Sequence, residues 1–361
     1  MLARLLVVLW VSLITGAFVA SAQDKRTDAP KDKRVERHDR DAVIASAQVW
    51  LPTEVERMDL RRGPDGRGSF AAGATVVCEY EDEDLSGNSP KFSCVAGTDD
   101  ELKVKYGGTN GEVYAEVAAA RLLWALGFGA DRMYPVRVIC RGCPRAIGGI
   151  ELVGGDLLFD PAVIERKGPG EEIEFDTIGW SWNELDDVDP ERGGAPLAHR
   201  DALELLAVFL QHTDSKPEQQ RIVCLSELRE DGRCARPFLM INDVGLTFGR
   251  ASWTNSNAES AVNLEAWSRT PVWRDDTGCV GNLPRSLTGT LHNPVISEEG
   301  RRFLASLLTQ LSDDQLHDLF EVARFNLRPR SPESGRSGFP SIQEWVDAFK
   351  EKRRQIVERR C

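Results

Sequence analysis

Eight cysteines constrain this chain more than any other feature: Cys78, Cys94, Cys140, Cys143, Cys224, Cys234, Cys279 and Cys361, an even set placed wholly beyond an apolar N-terminal segment. In that segment Arg4 forms a short positive n-region, residues 5–18 are apolar apart from small breaks such as Gly16, and Ala20-Ser21-Ala22 supplies small residues before Gln23. This is the pattern of a secretory signal peptide over residues 1–22. A membrane anchor is the competing explanation, but the run is short for a span and no second stretch of ~20 apolar residues follows. The expectation is an exported chain, periplasmic or extracellular, with no membrane span after signal cleavage. Cysteines in such a compartment pair. Sequence alone leaves the connectivity open, and local spacing favours Cys78 with Cys94, Cys140 with Cys143 and Cys224 with Cys234, leaving Cys279 for Cys361.

A chain of 361 residues can bury a core without crosslinks, so the cysteines are not needed to replace one. Acidic residues number 57 against 45 basic, and the formal net charge of -12 argues against a nucleic-acid partner, which needs a concentrated basic face. Residues 23–45 read as a charged leader, poor in apolar side chains at its start and expected to be disordered.

Strand patterns follow at 75–80, 91–96 and 101–106, separated by polar turns, and they predict a small antiparallel meander. Apolar residues at helical spacing predict a helix over 112–126 that ends at Gly127, and further strands are expected at 134–140 and 160–166. The second half reads as helical: 199–211, 297–310, and two helices opened by capping boxes, Ser312 with Gln315 and Ser341 with Glu344.

The most specific chemistry lies in His212-Thr213-Asp214-Ser215-Lys216-Pro217-Glu218-Gln219, just after a hydrophobic helix. A loop of this composition can offer a carboxylate to a hydroxyl, a cation to a phosphoryl group and an amide oxygen to a metal. Farther on, the apolar run 238–241 ends in Asn242-Asp243-Val244-Gly245, where one Asp beside a Gly turn suits Mg²⁺.

These two segments resemble the H-R-D-L-K-P-E-N and D-F-G motifs of protein kinases. Other parts follow in kinase order. The stretch Leu85-Ser86-Gly87-Asn88-Ser89-Pro90-Lys91-Phe92 resembles the phosphate loop of HipA-type kinases. Lys105 fits the strand lysine, Glu116 its helical partner, and residues 162–167, with Glu165, the adenine-binding hinge. Strand alternation alone leaves Lys103 and Lys105 equivalent; the resemblance selects Lys105. It spans roughly residues 71–330 and resembles an atypical, exported bacterial-type member of the family.

The resemblance implies an α+β, two-lobed, disulfide-braced fold: a small β-rich N-lobe with one helix at 46–167 and a larger helical C-lobe at 168–361. It implies Asp214 and Lys216 as catalytic residues and Gln219 and Asp243 as ligands of Mg²⁺ or Mn²⁺. Ser86, Gly87, Ser89, Lys91, Lys105, Glu116 and Glu165 would bind ATP. The acceptor would be a hydroxyl group on a protein, glycan or small molecule, with protein Ser/Thr the family default.

Three departures open a second reading, a pseudokinase-like binding protein. Gln219 stands for Asn, Thr213 for the usual Arg, and no A-P-E segment follows Asp243. A third reading, a thiol-disulfide oxidoreductase, would use Cys140 and Cys143, although Pro144 and Gly148-Gly149 do not favour the helix that such a motif opens. Trp180 and Trp182 fit either a substrate groove or a core.

Overall fold

The computed structural model describes residues 37–147, 150–230, 232–249 and 261–361; the expected signal peptide and residues 23–36 of the expected leader lie outside them. The leader reading is corrected at its end, because Arg37–Ala45 form a helix, α1. Ile44 and Ala45 are buried there, and Arg40 forms a salt bridge with Glu184 that satisfies its charge. Apolar residues near the end of a charged run were enough to dock it.

A barrel follows. Its strands are β1 (Thr75–Glu81), β2 (Lys91–Ala96), β3 (Asp100–Tyr106), β4 (Arg132–Cys143) and β7 (Gly155–Arg166), closed in the order β1-β2-β3-β7-β4. The short strands β5 (Ala146–Ile147) and β6 (Ile150–Glu151) pair with each other between β4 and β7. The meander β1 to β3 is antiparallel, as the sequence predicts, with Phe92 opposite Val104 and Cys94 opposite Leu102. Closure was not foreseen: β1 pairs in parallel with β4, Cys78 beside Cys140. A parallel partner needs a long crossover, and the helix α2 (Glu112–Ala125) lies in the connection that returns the chain to β1's side.

Alternation separates the two faces of the barrel wall. Phe92, Cys94, Leu102, Val104, Tyr134, Val136, Val138 and Ile164 form the barrel's own core, together with Cys78, Cys140 and Cys143. Met133 and Val163, on the opposite face, join the main core with α2. Helix α2 is rich in alanine and buried on nearly every side, so it packs closely against its neighbours.

The remaining chain is mixed. Strands β8 (Glu171–Glu172), β9 (Gln220–Cys224) and β10 (Pro237–Ile241) form a small antiparallel sheet. Helices α3 (Leu197–Leu210), α4 (Leu264–Arg269), α5 (Glu298–Leu308), α6 (Asp313–Val322) and α7 (Ile342–Glu358) pack on a core that contains Trp267, Phe320, Trp345 and Phe349. Both expected capping boxes are present, Ser312 with Gln315 and Ser341 with Glu344. The cysteines pair as spacing suggested: Cys78–Cys94, Cys140–Cys143, Cys224–Cys234 and Cys279–Cys361. Among the described residues no helix is long and apolar enough to cross a membrane.

Candidate functional site

Strand pairing puts three lysines on one face. Lys91 of β2 lies opposite Lys105 of β3, and Lys103 is two residues along the same strand, all pointing away from the barrel interior. Lys105 is covered by α2 and only 1% exposed. A buried ammonium is costly unless paired, and four carboxylates surround this one. Glu116 of α2 bonds it directly, Glu112 lies at 3.4 Å, Asp243 at 3.7 Å and Glu165 at 4.0 Å. Burial pulls the Lys105 ammonium down, but Asp243, Glu116, Glu112 and Glu165 outweigh it and hold the group well above the usual lysine range. Burial, joined by the neighbouring acids, drives the Glu116 carboxyl well above its usual range against the pull of Lys105. Both shifts point the same way: the cluster carries surplus negative charge and holds protons tightly.

The loop after α3 is built differently. Gln211 ends the helix in the left-handed region, with φ of 58°, and turns the chain into buried His212 and Thr213. Asp214 then presents Oδ2, which accepts from the Gln219 amide at 3.0 Å and lies 3.4 Å from the Lys216 ammonium. Residues 286–291 fasten this loop from outside. Ser286 donates to the Thr213 carbonyl at 2.7 Å, and Leu291 N–H donates to the Ser215 hydroxyl at 3.1 Å.

Strand β10 delivers Asp243. The backbone N–H of Asn242 donates to the Gln219 carbonyl at 2.9 Å, joining the two segments. Asp243 Oδ1 accepts from Gly245 N–H at 3.0 Å while Oδ2 faces Lys105. Burial alone would raise this carboxyl, but the Lys105 ammonium and the Gly245 N–H bring it down to about 2. Its side chain nonetheless keeps 30% of its exposure, so it is open to a ligand. Gly245 is required by close approach: a Cβ there would stand 2.6 Å from Glu112 Cγ and 3.0 Å from Glu116 Oε1.

Several buried polar atoms at this place have no hydrogen-bond partner among the described residues: Glu116 Oε2, Asp214 Oδ1, Asn242 Oδ1 and both ring nitrogens of His212. Such orphans are costly and are normally satisfied by water, ions or ligands. Burial lowers the His212 imidazole below its usual range, which favours its neutral form.

The loop between β1 and β2 leads into Lys91. Ser86 and Gly87 are exposed and Ser89 is half-buried. Gly87 has φ of +90°, and the Lys91 ammonium lies 2.7 Å from where its Cβ would be. Burial lowers the Lys91 ammonium, and repulsion from Lys105 and Lys103 lowers it further. Lys91 has no ion-pair partner among the described residues.

Lys105, Glu116, Glu165, Asp243 and Lys91 therefore gather at one place, and Asp214, Lys216 and Gln219 form an adjoining set. Ser86 and Ser89 make no side-chain hydrogen bond to either group among the described residues. Lys103 is 38% exposed and pairs with Glu165 at 2.8 Å, so burial separates it from Lys105 where strand alternation did not. Glu112 and Asn242 were not foreseen. The signal for Glu112 was present, since it lies one helical turn before Glu116 on the same face.

The other candidate sites are explained by packing. Cys140 and Cys143 form a disulfide, are 0% and 3% exposed, and sit on a strand, which does not meet the needs of a reactive thiol. Trp180 and Trp182 are buried in the main core. His317, Asp318 and Glu321 converge on α6, but Arg61 already bonds Asp318 and Glu321. A cleft of about 420 Å³, walled by Leu51, Trp124, Phe128 and Phe238, contains none of the site side chains above.

No protein-family model matches the chain, and no curated protein does. Among solved structures, the chain is similar to a proinflammatory kinase of Helicobacter pylori, CtkA, with a TM-score of 0.40 and 11% identity over 78% of this chain and 94% of that one. Likeness of this degree carries no functional argument, and the reading of the site rests on its residues.

Proposed function

We propose that this protein is an exported, two-lobed, kinase-like phosphotransferase that moves the γ-phosphate of ATP to a hydroxyl acceptor. The observation that carries the reading is the juxtaposition of an unpaired, half-buried lysine, Lys91, with a surplus-acid cluster around Lys105 and a second acid, Asp214, that keeps one oxygen free. One lysine without an ion-pair partner beside a cluster with more carboxylates than cations suits a polyanion bound together with a divalent metal.

Lys91 and Lys105 would take the nucleotide phosphates, with Glu116 fixing Lys105 and the 86–91 loop closing over them. Asp214 would orient or deprotonate the acceptor hydroxyl through Oδ1, and Lys216 would balance charge on the phosphoryl group in flight. In this reading the barrel with α2 is the nucleotide-holding N-lobe, and the helical region from residue 168 is the C-lobe. Phosphoryl transfer asks mainly for positioning and electrostatics, which is what these residues supply.

The donor set fits a hard divalent ion. Asp243 and the side-chain oxygen of Gln219, whose amide nitrogen donates one hydrogen bond to Asp214, would hold Mg²⁺ or Mn²⁺. When bound, the ion supplies positive charge to the phosphate oxygens. A protein Ser/Thr, glycan or small alcohol all remain chemically acceptable acceptors.

A second reading has one observation in its favour. Gln219 is turned to Asp214, and a side chain so engaged suits a pseudokinase-like protein that binds nucleotide without turnover. Metal-dependent ATP binding and γ-phosphate release or transfer by the oxidised mature protein, compared with Asp214→Ala and Asp243→Ala, separates the readings. Turnover that survives both substitutions overturns the first. Binding without any turnover in the native protein supports the second, and activity lost only in Cys140→Ser would restore the oxidoreductase.

A further inference from the structure

Strands β4 and β7, each of 12 residues, outrun the part of the fold that covers them. At one end their outer face is buried, where Met133 and Val163 join the main core. Farther along, the same face runs through Ile139 of β4, which lies opposite Leu158 of β7 on one side and Val77 of β1 on the other. Val76, Cys78, Val138, Cys140, Leu157 and Phe159 point into the barrel, so alternation turns the residues between them outward. Val77 is 40% and Leu158 63% exposed, and Ile139 is half-buried. The connection at the tip of these two strands adds Ile150 and Val153, both exposed. An exposed apolar row across three neighbouring strands differs from the single apolar side chains that any surface carries.

Charge of both signs flanks this row. Arg137 and Arg141 lie on either side of Ile139 on β4, Asp156 and Asp160 on either side of Leu158 on β7, and all four are exposed. Because the strands run antiparallel, Arg141 stands near the level of Asp156 and Arg137 near that of Asp160. Among the described residues Arg137 has no ion-pair partner, and Arg141 has only the exposed Glu79 at 3.5 Å. Asp160 meets Arg324 at 3.0 Å, so Arg141 and Asp156 are the freer of the two pairs.

We propose that this face is the interface of a homodimer, with a two-fold axis that runs along the strands between β4 and β7 and lays Ile139 of one copy on Leu158 of the other. The barrel is closed and none of its five strands has a free edge, so a second copy meets it face to face and not by strand addition. Turned on itself about that axis, the face sets Arg141 of each copy against Asp156 of the other and Arg137 against Asp160. An axis along β4 itself would put arginine on arginine. A patch of one sign would call for a different protein of opposite charge, whereas rows of opposite sign at matched levels find their complement in a second copy. The apolar row supplies the dry centre of the contact and the charges its rim. This contact is independent of the nucleotide reading, because Lys91, Lys103 and Lys105 stand on β2 and β3 and take no part in it.

Sedimentation equilibrium of the oxidised mature protein over a range of concentrations measures the association. The native protein should form a dimer. Leu158→Asp, which puts a charge in the middle of the apolar row, should raise the dissociation constant at least about tenfold. Arg141→Glu and Asp156→Lys should each weaken the dimer, because like charges then face each other twice across the axis. Mixed in equal amounts, chains with Arg141→Glu and chains with Asp156→Lys should associate with each other at close to native affinity, since both cross-axis pairs are again opposite in sign. That recovery also shows that both variants are folded. A native protein that stays monomeric overturns the interface, and so does a dimer that Leu158→Asp leaves intact. Single charge reversals without effect, or weakened dimers that do not recover in the mixture, overturn the pairing of Arg141 with Asp156 and the axis with it.

Discussion

The side-chain amide of Gln219 donates to Oδ2 of Asp214 over 3.0 Å, and the Gln219 carbonyl accepts from the backbone of Asn242. One residue thus ties the acid on the 212–219 loop to the strand end that carries Asp243. Its length matters: an amide one methylene shorter cannot hold the same bond from the same backbone. On the proposed function, Gln219→Ala is expected to lower the turnover number for phosphate release on the order of 10- to 100-fold, with little change in ATP affinity, because it would unfix the acid assigned to the acceptor hydroxyl and leave in place the lysines assigned to the phosphates. Gln219→Asn should also lose activity. Steady-state kinetics on both variants decide the matter, and a gain of activity with Asn would show that the bond to Asp214 has no catalytic use.

Lys105 and Glu116 should respond very differently to removal of charge. Lys105→Met leaves Glu112, Glu116, Glu165 and Asp243 facing one another without their shared cation. Breaking a buried pair in this way costs roughly 3–5 kcal/mol. Glu116→Gln removes a charge from a cluster that already has too many and keeps a polar partner for the lysine, so its cost should stay within about 1.5 kcal/mol. Denaturant unfolding monitored by far-ultraviolet circular dichroism measures both. Equal losses would mean that the surplus of acid is not felt by the fold.

Periodicity and spacing made much of this architecture readable before the structure. The meander strands, α2, both capping boxes and three of the four cysteine pairs follow from alternation, helical spacing, hydrogen-bonding caps and short loops, which are local properties, and Cys279–Cys361 follows as the remaining pair. The closure of the barrel was not readable, because β1 and β4 are brought together by an intervening helix and no local pattern encodes that pairing. The site divides along the same line. Asp214 and Asp243 sit in recognisable short motifs, whereas Glu112 gains its significance only from the turn at Gly245 packing against α2. Lys103 and Lys105 share a strand face in sequence, and only the helix laid over one of them tells them apart.

The four disulfides should not contribute equally. In the chain-entropy account, stabilisation grows with the length of the loop closed. Cys279–Cys361 spans a sequence separation of 82 and Cys140–Cys143 one of 3. The first should be worth about 4.5 kcal/mol and the second about 1.5 kcal/mol on that basis. Replacing each pair by serines and comparing denaturation midpoints tests the order. The Cys140–Cys143 variant carries an added cost from placing serine hydroxyls in the barrel core, so its loss bounds the entropic contribution from above. If it still loses less than the Cys279–Cys361 variant, the ranking stands.

Lys352 gives a prediction about pH. It lies on α7, fully buried, donates to the Thr270 carbonyl at 2.6 Å and stands 5.3 Å from the centre of the Trp267 ring. Burial alone lowers its ammonium to about 7. An unfolded lysine titrates near ~10.4, so between those values the unfolded chain holds a proton that the folded chain has released. Stability from this group therefore rises with pH from about 7 toward 10, and the full cost of burying the charge is felt below 7. Lys352→Met removes that cost but also leaves the Thr270 carbonyl without its donor, a loss of about 1 kcal/mol. The variant should accordingly gain most relative to the native protein near pH 6, and the difference should shrink or reverse by pH 9. Thermal unfolding of both proteins across that range checks the sign. A difference that does not change with pH would mean that Lys352 keeps its proton in the folded state.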